Sequence, residues 1–144
     1  MSRSGYSDDI ENWSLIRWRG AVTSALRGKN GQAFLREALD ALDSLPEPIL
    51  THSELEASGE FCVLGAVGRA RETPMSAVDA DDHEAVARLF HIPHALACEI
   101  MFENDEGVGS HETPRQRYER MRRWIIANIN ADLSSARAPN QGAA

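Results

Sequence analysis

Two cysteines and five histidines are the side chains in this sequence best suited to nucleophilic or metal chemistry. The first cysteine lies in "GEFCVLGAVGRARE", residues 59–72. A cysteine attacks as its thiolate, which needs a helix N-terminus, a cation or a paired imidazole to lower its pKa. Cys62 meets the first condition, because the small-residue run around it is expected to form a short helix from Phe61 to about Arg71. His52, His83, His91, His94 and His111 could supply an imidazole, yet no local motif ties any of them to this cysteine. Papain-like and caspase-like signatures are absent. Between Phe61 and Val63-Leu64 the residue reads as a small apolar filler. A Cys62-dependent thiol enzyme, a hydrolase or transferase, is therefore the alternative and packing the leading expectation.

The second cysteine belongs to "HIPHALAC", which holds His91, His94 and Cys98. His94 and Cys98 are four positions apart and share a helix face, as two ligands of one metal would. A third ligand would have to come from His91 folding back, or from Cys62 or His52 through tertiary structure. The paired spacing of zinc motifs is missing, so no metal and no cofactor is expected.

Charged clusters offer binding rather than bond-making chemistry. Lys29 of "RGKNGQ", residues 27–32, sits between glycines that could cradle an anion, with Arg17 and Arg19 one or two turns upstream, which would make a small anion- or nucleotide-binding module a second alternative. The full phosphate-loop pattern and its preceding strand are missing, so a turn with solvated charge is the simpler reading. "PRQRYERMRR" carries Arg115, Arg117, Arg120, Arg122 and Arg123 among aromatic residues, a pattern that suits RNA or an acidic protein. Pairing with carboxylates of the same chain explains it better. "DADDHE" supplies Asp79, Asp81, Asp82 and Glu84, and "NDEG" supplies Asp105 and Glu106. Neither has calcium-loop spacing, so both read as cap and turn residues that also present negative charge.

The elements that must position these groups follow from periodicity. Leu15, Trp18, Val22 and Ala25, with Ile16 and Leu26 beside them, form the apolar stripe of a first helix that Gly28 is expected to end in the left-handed conformation. "GKNG" then joins a second helix through Phe34, Leu35, Ala38, Leu39 and Leu42, stopped by Pro46 and Pro48. Residues 49–64 leave room for a short hairpin. The glycines after Cys62 imply close approach of a neighbouring helix. Further helices carry Val86, Leu89 and Phe90, then Leu96, Ile100 and Met101. Thr113 to Gln116 has the form of a capping box with proline at the first helical position. The last helix is expected to run to about Ile129, burying Tyr118, Met121, Trp124, Ile125 and Ile129. The expected fold is an all-α bundle of about six helices over residues 1–131, with a disordered tail at 132–144.

The 144 residues suffice for one domain with a core. No apolar run reaches the roughly 20 residues of a membrane span, and the polar start lacks a secretory signal, so cytoplasmic localisation is expected. The net charge of −7 is unevenly spread: +3 over residues 1–36, −14 over 37–112 and +4 over 113–144. This argues against direct nucleic-acid binding, which needs a basic footprint, and leaves a homo-oligomer open. Charge complementarity between the ends and the middle is the simplest explanation. An acidic face presented to a basic partner is the sharper one.

"NWSLIRWRG", "CVLGAVG" and "NDEG" together resemble a group of small uncharacterised phage and prophage proteins with a C-x-LG segment and a later ND-x-G segment. Many members carry "CCLG" where this chain has Phe61 before Cys62. The resemblance spans about residues 5–130 and implies no activity or cofactor. It does imply a phage setting, in which small acidic proteins block or redirect host proteins. The expectation is a phage-type accessory protein, counter-defence or regulatory. It would act by noncovalent binding of a host protein with a basic surface through Asp79, Asp81, Asp82, Glu84, Asp105 and Glu106.

Overall fold

The computed structural model describes the backbone of residues 12–106 and 111–143 and the side chains of 16–105 and 111–129. Its elements are α1 (Asn12–Arg27), α2 (Lys29–Asp43), β1 (Glu56–Ala57), β2 (Glu60–Phe61), α3 (Val63–Ala70), α4 (His83–Phe90), α5 (His94–Glu106) and α6 (Pro114–Ala143). The architecture is mostly helical, as expected, with one two-stranded antiparallel hairpin. Among the described residues no single helix is long and apolar enough to cross a membrane.

The junction of α1 and α2 is tighter than a loop. Gly28 alone separates them, and its backbone is extended (φ −67°, ψ 162°) rather than left-handed. The expected left-handed cap is therefore an extended one-residue link, and Lys29, Asn30 and Gly31 already belong to α2. The reason is visible three residues on. A side chain at Gly31 would collide with the Ala25 carbonyl, so the helices meet backbone to backbone.

The hairpin pairs Glu56 with Phe61 and Ala57 with Glu60. Ser58 and Gly59 turn the chain with positive φ of 52° and 82°, the conformation that two-residue hairpin turns require. Cys62 follows as the N-cap of α3. The two glycines of α3 do admit close neighbours, but neither neighbour is a helix. A Cβ at Gly65 would strike the Leu55 carbonyl, and one at Gly68 the Met75 thioether.

One core unites the helices. Leu35, Leu42, Leu50, Leu64, Val67, Val86, Phe90, Leu96, Ile100, Met121 and Ile125 are almost wholly excluded from solvent. Helix α2 packs on α6, α3 and α1, while α5 packs on α1, α4 and α3. Ile16 departs from its expected place beside the α1 stripe and is 60% exposed. Helix α4 ends in a left-handed His91 (φ 58°), with the Ile92 amide reaching back to the Ala87 carbonyl. The capping box of α6 forms as expected: the Thr113 hydroxyl accepts from the Gln116 amide (3.1 Å), and the Gln116 side chain accepts from the Thr113 amide (2.9 Å). Helix α6 continues past the expected end at Ile129. Its backbone is helical to Ala143, over most of the stretch expected as a tail at 132–144, while the side chains beyond Ile129 lie outside the described residues.

Candidate functional site

Two motifs distant in sequence meet at the start of α3. The Cys62 sulfur accepts from the Gly65 amide at 3.3 Å, and the Asn104 side-chain oxygen accepts from the Val63 amide at 3.2 Å. Both contacts satisfy N–H groups that the first turn of a helix leaves without partners. The Asn104 amide group donates to the Thr51 carbonyl (3.0 Å) and to the Asp105 carboxylate (2.7 Å). Asp105 accepts in turn from the Ser53 amide (3.0 Å). "CVLG" and "ND" thus form one capping network that holds α3, the hairpin and α5 together. Cys62 is buried at 6% exposure beside a cavity of ≈ 10 Å³, about the room one water needs. Among the described residues no histidine lines that cavity.

A second network locks the end of α5. The Asn104 carbonyl accepts from Arg117 (3.0 Å) and Arg120 (3.3 Å), and Arg117 also donates to the Leu50 carbonyl (3.3 Å). Glu112 forms a two-pronged pair with Arg120 (2.6 and 2.9 Å) and lies 3.4 Å from Arg117. The Arg120 hydrogen bond holds the Glu112 carboxyl below its ordinary range against the opposing effect of burial. Burial pulls the Arg117 guanidinium down, with Glu112 opposing. Arg122 pairs with Asp43 of α2 at 2.9 Å. Three arginines of α6 therefore serve the fold, as intramolecular pairing required.

The histidine–cysteine cluster has a different third member from those the sequence offered. Cys98 Sγ lies 3.3 Å from His94 Nε2, one turn along α5. His83, the first residue of α4, joins them, and the three ligand atoms lie within 4.8 Å of one another. Cys62 instead sits in the α3 capping network, and His52 bonds Ser53 (2.9 Å) at the exposed segment before the hairpin. His91 lines the shallow groove beside His94 without entering the cluster. Sequence spacing could not reveal His83, because only the 108° bend between α4 and α5 brings it to Cys98. Burial pushes the Cys98 thiol up to about 11, with Glu99 adding to the effect.

The acidic residues divide. Asp79 and Asp81 line a broad open groove together with Glu54 and Glu56 of the hairpin arm, two carboxylates that the sequence reading passed over. Among the described residues no basic side chain lines this groove. Asp82 caps α4, accepting from the Ala85 amide (3.1 Å), and Glu84 faces the separate groove with Arg88, His91 and His94. Asp105 sits in the α3 network behind Ser53, and the Glu106 side chain lies outside the described residues. Arg17, Arg19 and Lys29 are all exposed. Two positions on a helix are roughly 200° apart, so Arg17 and Arg19 leave α1 on opposite sides. No protein-family model, no curated protein and no solved structure matches this chain.

Proposed function

We propose that this protein works by noncovalent binding of a basic macromolecular partner in the groove between the hairpin arm and the segment leading into α4. The observation that carries the reading is that four carboxylates, Glu54, Glu56, Asp79 and Asp81, line one groove. Converging charge of one sign in a concavity focuses its field and favours a partner of opposite sign. In the phage setting that the C-x-LG and ND-x-G resemblance implies, the partner is a host protein and the role counter-defence or regulation. Those two motifs themselves cap α3, so they support the scaffold and leave recognition to the groove. The thiol-enzyme reading gains no support from Cys62, whose sulfur holds a backbone amide.

The test is affinity capture from host lysate at ~0.05 M and ~1 M salt, where the screening length falls to about 3 Å. The variant Glu54→Gln/Glu56→Gln/Asp79→Asn/Asp81→Asn is run beside the wild type. A partner lost both at high salt and in the variant supports the reading. Capture insensitive to both sinks it.

A further inference from the structure

We propose that His83, His94 and Cys98 form a binding site for a borderline-soft divalent transition-metal ion, zinc(II) foremost, bridging the start of α4 to the first turns of α5. The three ligand atoms lie within 4.8 Å of one another, and the Cys98–His94 edge is already 3.3 Å. Tetrahedral zinc, with bonds of about 2.3 Å to sulfur and 2.0–2.1 Å to nitrogen, spaces its ligands by roughly 3.4–3.6 Å. One edge therefore has the required length, and the others close by about an ångström through side-chain rotation.

The surroundings hold the ligands in place. His94 and Cys98 are one turn apart on a continuous helix, so their separation is fixed by backbone. The His83 ring lies 6.4 Å from the His94 ring at a tilt of 33°. Trp18 of α1 packs edge-on to His94 at 5.8 Å. Cys98 is fully buried, His83 half-buried and His94 exposed, so the cluster runs from core to surface. A metal bound by three such ligands keeps a fourth position for water or a partner's side chain. Two imidazoles and a thiolate select zinc, cobalt or copper over magnesium and calcium, which prefer oxygen. Binding forms a metal–sulfur bond and two metal–nitrogen bonds in place of bonds from the hydrated ion to water, and it releases those waters and the thiol proton to solvent. The site shares no residue with the acidic groove, so either assignment stands or falls without the other.

The experiment is titration of chelator-treated full-length protein with cobalt(II), followed by displacement with zinc(II). The expected result is one equivalent of cobalt with a thiolate-to-metal charge-transfer band that zinc abolishes. Cys98→Ser removes the band, while Cys62→Ser and His52→Ala retain it. His83→Gln and His94→Gln, neither at a fully buried position, weaken zinc affinity at least 10-fold, about what losing even an outer-shell partner costs. These two variants decide the matter if Cys98→Ser does not fold. Absence of the band in the wild type, its survival in Cys98→Ser, or unchanged affinity in both histidine variants overturns the site.

Discussion

The Asn104 side chain ends in one acceptor and two donor positions, and the fold uses both kinds, on Val63, Thr51 and Asp105. Truncation to alanine strands a buried amide and a carbonyl together. Asn104→Ala is expected to lower stability by about 2–3 kcal/mol, read as a shift of the urea midpoint. Neither cysteine is expected to react with a disulfide reagent near neutral pH until the protein unfolds. Cys98 is buried with its thiol raised to about 11, and Cys62 is buried against the Gly65 amide. Fast labelling of native Cys62 would restore the enzyme reading. Glu112 sets a pH dependence. Its carboxyl lies below its ordinary 4.5 because Arg120 bonds it, and Arg71 does the same for Glu37. A carboxyl depressed by folding contributes stability that is complete above its unfolded value and lost as pH falls through its folded one. Glu103 works the other way, since burial raises it and its contribution fades as pH rises through the folded value. Stability is therefore expected to decline below about pH 4.5. Glu112→Gln is expected to flatten that decline and to cost about 3 kcal/mol at neutral pH, because two arginines lose their shared anion.

At the scale of elements, glycine discriminates most sharply between packing and propensity. Gly65 and Gly20 both lie in helices, yet a Cβ meets the Leu55 carbonyl at the first and nothing within 4 Å at the second. Gly65→Ala is expected to destabilise by more than 2 kcal/mol, the range in which a backbone must move. Gly20→Ala is expected to stabilise by about 0.5–1 kcal/mol, and thermal midpoints of the two variants test both signs. The same contrast explains what was legible in the sequence. The apolar stripes of α2, α4 and α5 and the Thr113–Gln116 box are local patterns, and local chemistry announces them. The role of Gly28 was misread because the close approach belongs to Gly31 and the Ala25 carbonyl, a contact that periodicity does not encode. The exposure of Ile16 is likewise something the spacing within α1 does not encode. The roles of Asn104 and His83, though not the residues themselves, stayed hidden for the same reason, since each acquires its role from a residue on another element.

For the molecule as a whole, the question is which of its carboxylates hold it together and which face outward. Glu112 is inside, and its side chain keeps 8% exposure among two guanidiniums. The Arg122–Asp43 pair is the opposite case, with side chains 39% and 48% exposed. Such pairs contribute little in water, so Arg122→Ala is expected to leave the urea midpoint nearly unchanged. Glu54, Glu56, Asp79 and Asp81 are exposed on one groove, where like charges repel. Neutralising all four is expected to leave the urea midpoint nearly unchanged, because the side chains are exposed and each amide replacement keeps an acceptor oxygen, the one on residue 79 for the Asp81 amide (2.9 Å) included. The same variant is expected to lose the salt-sensitive partner. Both readouts are needed, since a variant that also unfolds would lose its partner for a trivial reason. A variant that keeps its midpoint and still captures the partner would show that recognition lies elsewhere on the surface. Retained stability with lost binding would assign the acidic middle of the chain two separate duties, carried by separate side chains.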